Sequence, residues 1–469
     1  MNKDLPAIRT VGELKRSGYR VKAVRDEMRD NLLVRLRSNE RILPGIVGYD
    51  ATVIPEIENG ILAGHHMVFL GERGQAKSRI IRSLTGLLDE YVPIVKGSEI
   101  NDDPFAPISK QARRQAEEKG DELEIEWVGP DRRYTEKLAT PDVSIADLIG
   151  EIDPIKVAEG RYLADEETIH YGLIPRTNRG IFAINELPDL IEKVQVGLFN
   201  LMEEKDVQIK GYKIRLPLDV IFVASANPED YTSRGRIITP VKDRFDIQIR
   251  THYPKTVEDE IAIMEQETFY PPSSGMHLRI PQFMKDILAQ VTFEARASNE
   301  INQGSGVSVR VTINNHESVI SNATKRAVRN GELEIVPRLS DLHSLYASTA
   351  GKIELEYVGE DKKEEDLIER LINRAITKVF DRYFKVDELK TVVAYFENGW
   401  GVEVSDTAPA SEYVEPLREI TGLREAIDRI GSFESPGLMA AASELVFEGL
   451  HLHQKLNKER QGSRFAYHA

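Results

Sequence analysis

The segment Gly71-Glu72-Arg73-Gly74-Gln75-Ala76-Lys77-Ser78 constrains this chain more than any other. It follows four apolar residues, Met67 to Leu70, which read as a buried strand, and it opens a stretch, 77–89, that reads as a helix. A glycine-rich turn between a strand and a helix gathers backbone N–H groups around an anion, and the helix N-terminus adds its dipole. The spacing is that of a phosphate-binding loop. Lys77 would reach the β- and γ-phosphates of a nucleotide, and the Ser78 hydroxyl would sit on Mg²⁺. One position departs from the pattern, because Ala76 stands where glycine is usual before the lysine. If its φ is positive, the Cβ costs about 1 kcal/mol or more; if its backbone is near-helical, alanine is tolerated. Taken alone, so degenerate a motif competes with a chance glycine turn.

A loop of this kind needs a sheet to stand on. A second apolar run, Ile181-Phe182-Ala183-Ile184, ends at Asn185-Glu186, and a third, Val220 to Ala226, ends at Asn227-Pro228. Apolar strands alternating with helical stretches indicate an α/β fold, a parallel sheet with crossover helices on both faces. Glu186 is placed to polarise a water. Asn185 stands where an aspartate is usual; it accepts from a metal-bound water but carries no charge, so Asn185→Asp is expected to raise Mg²⁺ affinity. The Asn227 amide suits the γ-phosphate or the attacking water, although Asn-Pro is also a common turn. In Lys242-Asp243-Arg244-Phe245-Asp246, Arg244 beside a helix end is either a structural ion pair or a finger for a neighbouring subunit's γ-phosphate. Arg234 and Arg236 are the alternative fingers. Arg310 begins a later helix, as a surface residue or as a sensor of the γ-phosphate.

The rest of the chain sets boundaries. Its 469 residues suit roughly two to four domains, and 41% hydrophobic content supports a substantial core. With no Cys, disulfides and thiolate chemistry are excluded, which fits a reducing, cytoplasmic setting. A net charge of -15 argues against general nucleic-acid binding. No apolar run reaches the roughly 18 residues of a membrane span, and MNKDLPAIRT lacks the apolar core of a secretory signal. Residues 11–40 read as helical and 98–150 as a polar insertion across the surface. The chain breaks near 271–278, and 281–330 reads as helices around the polar turn Asn299–Gly306. The acidic run Glu360–Asp366 opens a further helical region, and 411–460 reads as two or three helices. His65-His66 and the pair in His451-Leu452-His453 read as ordinary residues rather than metal ligands.

In this order the motifs resemble those of the magnesium chelatase I subunit and the MoxR ATPases, which are AAA+ proteins, from about Pro44 to about Gly331. Lys77 and Asn185 lie 108 residues apart. Between them come Asp102-Asp103-Pro104-Phe105, Ile149-Gly150-Glu151-Ile152-Asp153 and His170-Tyr171-Gly172-Leu173-Ile174-Pro175, similar to a strand carrying an inserted hairpin before Walker B. Residues 206–219 look like a second inserted hairpin. Ile46, Val47 and Gly48, within PGIVGYD, look like the adenine-side segment. The resemblance places Asn185 and Glu186 on Walker B, Asn227 on sensor 1, Arg244 on the Asp-Arg-Phe finger and Arg310 on sensor 2. It implies ATP and Mg²⁺, the metal held at Ser78, Asn185 and Glu186. It also implies a ring of identical subunits, usually hexameric, and a partner with a von Willebrand factor A domain. The expected division is a helical N-terminal segment (1–43), an α/β core (44–270, insertions 98–175 and 206–219), a helical lid (271–335) and a mostly helical extension (336–469). The leading expectation is a remodelling or metal-insertion ATPase, with a true magnesium chelatase subunit or a weakly hydrolysing scaffold as alternatives.

Overall fold

The computed structural model describes residues 6–152, 168–204, 206–209, 212–227, 236–271, 275–356, 364–461 and 464–469. The chain divides into two compact units, Met1–His252 and Tyr253–Ala469. In chain order the first unit contains α1 (Val11–Arg16), α2 (Val24–Ser38), α3 (Val53–Ala63), β1 (Met67–Leu70), α4 (Lys77–Ser83), β2 (Val92–Val95), α5 (Lys110–Lys119), β3 (Ile125–Val128) and β4 (Tyr134–Leu138). Then follow α6 (Ile145–Leu148), β5 (Gly150–Ile152), β6 (Ile169–Tyr171), α7 (Leu173–Arg176), β7 (Gly180–Asn185), α8 (Glu192–Glu204), β8 (Asp206–Ile209), β9 (Tyr212–Arg215), β10 (Val220–Ala226), α9 (Thr239–Arg244) and β11 (Ile247–Arg250).

Five of these strands form one parallel sheet in the order β11-β1-β10-β7-β4. Its middle strands are apolar on both faces because both faces are covered. Alternation deals the side chains out. Met67, Phe69, Ile181, Ala183, Ile221 and Val223 pack on one face with Ile57 and Ile61 of α3 and Ile80 and Ile81 of α4. Val68, Phe182, Ile184, Phe222 and Ala224 pack on the other with Val194, Leu198 and Leu201 of α8 and Val241 of α9. The α/β expectation is met, with helices on both faces.

Two expectations within this unit are corrected. The stretch 98–150 is not only a surface insertion, since Tyr134–Leu138 within it is the edge strand of the central sheet. Its sequence, YTEKL, hides this: an edge strand is half in solvent and needs no apolar run. The expected helix over 11–40 is two helices, broken between Arg16 and Val24. The second is tied into the core by charge. Glu27 of α2 receives both arms of Arg133, just before β4, at 2.7 and 2.6 Å, with both residues buried. The Arg133 Nε donates to the Arg179 carbonyl at 2.7 Å, so the buried guanidinium is well supplied with acceptors. Both expected hairpins are present, as the antiparallel pairs β5–β6 and β8–β9.

The second unit contains α10 (Val257–Glu267), β12 (His277–Leu278), α11 (Gln282–Ala297), α12 (Arg310–Asn330), β13 (Glu334–Ile335), α13 (Leu345–Thr349), α14 (Glu364–Tyr383), α15 (Lys390–Glu397), β14 (Val402–Val404), α16 (Ser411–Glu419), α17 (Leu423–Ile430), α18 (Pro436–Leu452), β15 (Asn457–Gln461) and β16 (Arg464–His468). One apolar core runs through it, from Met264 and Ile287 through Val319, Leu371 and Phe380 to Phe447 and Tyr467. The helices expected as a lid therefore share a core with the extension. Residues 411–460 hold three helices, α16 to α18, within the expected two or three, and the mostly helical extension also carries strands: β14, β16 and β15 make an antiparallel sheet in that order.

Candidate functional site

Because the central strands are parallel, their C-terminal ends share one edge, the place where such sheets bind ligands. Leu70 lies beside Ala226, and Ala224 beside Ile184, so Gly71, Asn227 and Asn185-Glu186 leave the sheet side by side. The Gly71 N–H donates to the Ala226 carbonyl at 3.2 Å.

The phosphate loop is pinned from three sides. The Gln75 side chain is buried; its Oε1 accepts from the Glu72 N–H at 3.0 Å and from the Thr251 hydroxyl at 2.7 Å. This packing leaves no room at Gly71, where a Cβ would lie 1.9 Å from Thr251 Oγ1 and 2.2 Å from Gln75 Oε1. The Tyr49 hydroxyl sits between the carbonyls of His252 (2.7 Å) and Gln75 (3.0 Å), and burial pushes its pKa up to about 12. Tyr49 thus ties the segment holding Ile46, Val47 and Gly48 to the loop, with Ile46 buried and Gly48 at φ 79°. Lys77, the first residue of α4, is buried and donates to the carbonyls of Gly71 (2.5 Å) and Glu72 (2.8 Å). Gly74 has φ 76° and Ala76 φ 56°, so the alanine carries the strained left-handed conformation rather than a helical one. Arg73 lies in the turn of the loop, and Ser78 is the second residue of α4.

Asn185 ends β7 with both ends of its amide engaged. Its Oδ1 accepts from the Ser225 hydroxyl at 3.2 Å, and its Nδ2 donates to Glu136 Oε1 on β4. Arg82 of α4 holds the same carboxylate at 2.6 and 2.9 Å, and the Tyr134 hydroxyl adds a bond at 3.0 Å. The Arg82 guanidinium beside Glu136 holds its carboxyl below the usual range, helped by Tyr134 and Asn185. Asn185→Asp would therefore face one carboxylate with another. Glu186 turns out of the strand at φ 54°, its N–H donating to Ser225 Oγ at 3.3 Å. Ser78, Asn185 and Glu186 offer only oxygen donors, the hard kind that suits Mg²⁺.

Sequence reasoning missed Tyr49, Thr251, Ser225 and Glu136. Tyr49 directly follows the adenine-side residues and was within reach. Glu136 lay in a stretch read as insertion, with no local signal. The remaining expected residues are placed as follows. Asn227 is buried at the end of β10. Arg244 ends α9, paired with Glu203 of α8 and with Asp243 at 3.3 Å, its guanidinium 5.5 Å from the Phe199 ring. Arg234 lies outside the described residues, and Arg236 stands 3.7 Å from Glu192. Arg310 opens α12 in the second unit, exposed. His451 and His453 turn to different partners, the Leu456 carbonyl at 3.0 Å and Asp381 at 2.8 Å. Among the described residues no helix is long and apolar enough to cross a membrane.

A parallel sheet in this strand order, with a phosphate loop leaving β1 and polar residues ending β7 and β10, is the α/β fold of an AAA+ P-loop ATPase. No protein-family model matches the chain. The curated proteins that it is similar to include magnesium-chelatase subunits. It is 25% identical over 243 residues to the subunit ChlI of Bigelowiella natans, covering 49% of this chain and 60% of that protein. It is 28% identical over 214 residues to ChlI of Anabaena variabilis (44% and 59%). It is 26% identical over 232 residues to the magnesium-chelatase 38 kDa subunit of Cereibacter sphaeroides (47% and 60%). The chain thus spans less than two thirds of the length of these relatives. A solved magnesium-chelatase BchI–BchD complex matches 70% of this chain and 98% of its own at 18% identity, with a TM-score of 0.35.

Proposed function

We propose that this chain is a Mg-ATP-dependent AAA+ ATPase that works as a ring of identical subunits and drives the remodelling of, or metal insertion into, a partner protein. The observation that carries the reading is the sheet edge, where a lysine-bearing phosphate loop, Asn185-Glu186 and Asn227 leave three adjacent strands together. In this reading the loop N–H groups and Lys77 hold the phosphates, and Glu186 orients the attacking water. Ser78, Asn185 and Glu186 hold the metal and its waters. Bound Mg²⁺ supplies charge neutralisation on the β- and γ-phosphates. Asn227 steadies the γ-phosphate. Arg244 serves a neighbouring subunit's nucleotide, and Arg310 takes the sensor 2 role that the family resemblance implies. A partner with a von Willebrand factor A domain follows from the family resemblance. A second reading, the ATPase subunit of a magnesium chelatase, is favoured by the names of the relatives.

The test is hydrolysis against binding. Glu186→Gln should bind ATP with affinity close to that of the unaltered chain and hydrolyse it at least about 10²-fold more slowly. A variant hydrolysing at the unaltered rate would assign the water-orienting role elsewhere. An unaltered chain that binds ATP without turnover would favour a nucleotide-binding scaffold.

A further inference from the structure

A carboxylate that no sequence motif marks stands against the site. Tyr134, Glu136 and Leu138 of β4 lie in register with Ile181, Ala183 and Asn185 of β7. Glu136 and Asn185 therefore face the same side of the sheet, the side covered by α4. From Arg82 the hydrogen bonds run without a break: Arg82 donates to Glu136, Asn185 donates to Glu136, Ser225 donates to Asn185, and the Glu186 N–H donates to Ser225. The chain begins on the helix that opens with Lys77 and ends on the backbone of the water-orienting residue.

We propose that Glu136 is a positioning residue of the ATP site, fixing the Asn185 amide and, through Ser225, the left-handed turn that presents Glu186. The proposal rests on the ATPase reading for its catalytic consequence, but the linkage itself does not need ATP. An ionised carboxylate only accepts hydrogen bonds, so Glu136 admits the NH₂ end of Asn185 and turns its Oδ1 toward Ser225. This accounts for the departure at 185. The aspartate that usually stands there would place two carboxylates within hydrogen-bond distance, where both are not comfortably ionised. The negative charge of this corner is carried one strand over, on β4, and an amide on β7 transmits it. Arg82 anchors the arrangement to the phosphate-loop helix, so displacement of that helix is felt at Glu186.

The experiment is a polarity swap. Asn185→Asp and Glu136→Gln each break the pairing, whereas the double variant restores an isosteric hydrogen bond running the other way, from Gln to Asp. In the full chain, each single variant should lower kcat about tenfold or more while KM for ATP changes less than about threefold. The double variant should return kcat to within about threefold of the unaltered chain. Ser225→Ala, which adds no charge, should lower kcat in the same way. Two readouts are independent of turnover. The Glu186 amide should exchange with deuterium about tenfold faster in either single variant, and the urea midpoint lost in Asn185→Asp should be recovered in the double. Additive losses without recovery, or an Asn185→Asp variant equal to or faster than the unaltered chain, would overturn the proposal. Should Asn185→Asp not fold, recovery of folding in the double supports the pairing and its absence contradicts it. If the unaltered chain shows no ATP turnover, the functional reading fails while exchange and urea data still decide the linkage.

Discussion

Ala76 and Glu186 hold the left-handed conformation at φ 56° and 54°, one in the phosphate loop and one at the end of β7. For a residue with a Cβ this conformation costs on the order of 1 kcal/mol, and such strain persists where the surroundings impose it. At Ala76 the glycine of the usual motif would remove it. Ala76→Gly is expected to raise stability by about 1 kcal/mol in urea unfolding, offset in part by the greater chain entropy of glycine. A stability loss would mean that the Ala76 Cβ, which packs against the α3–α4 core, outweighs the strain. The cost of an alanine at positive φ was legible in the sequence, but its φ was not, because conformation at a loop residue is set by the contacts of its neighbours. Gln75 and Tyr49 supply those contacts, from the same loop and from a segment more than twenty residues upstream.

At the scale of elements, the strands that could be read were those buried on both faces. β1, β7 and β10 announce themselves as apolar runs, and the residues ending them were found with them. β4 could not be read, because an edge strand answers to solvent on one side; with it went Glu136, whose importance comes from a register that only pairing defines. Helices of the second unit were legible from their periodicity, while β15 was not, since NKERQ is polar throughout. Helix α12 carries its own test. His316 is buried on it, with Nδ1 and the Thr268 hydroxyl 2.8 Å apart, and its pKa is pushed down to about 4, chiefly by burial, with Glu265 opposing and Lys285 adding to the fall. In the unfolded chain the imidazole takes a proton near pH 6.5, whereas in the folded unit it stays neutral down to about 4. Between those values the unfolded state binds more protons, so this residue's contribution to stability falls as pH drops from about 6.5 toward 4. Urea unfolding at pH 7 and pH 5 should show a loss on the order of 1–2 kcal/mol for the unaltered chain that His316→Gln reduces. An equal loss in both would assign the pH dependence to other groups.

At the scale of the whole molecule, the proposed function is that of an ATPase whose site is completed by a second copy. Arg244 is held against α8 of its own unit by Glu203 and Phe199, a placement fixed by packing rather than by its own phosphate loop. A planar, permanently charged guanidinium suits transition-state charge, and arginine fingers raise GTPase turnover by about 10³–10⁵. Arg244→Ala should therefore keep ATP affinity and lose hydrolysis. Mixed with Lys77→Ala protein it should regain part of the rate, because mixed rings contain interfaces with both residues intact. Two inactive variants that exchange subunits and show no recovery at any ratio would remove the support for sharing. All of this depends on the phosphate loop binding nucleotide, and the direct measurement is calorimetric titration of ATP and Mg²⁺ into the unaltered chain and into Lys77→Ala, with circular dichroism to verify the fold. The account predicts saturable binding by the unaltered chain and none detectable by a folded Lys77→Ala; equal affinity in the two would contradict it.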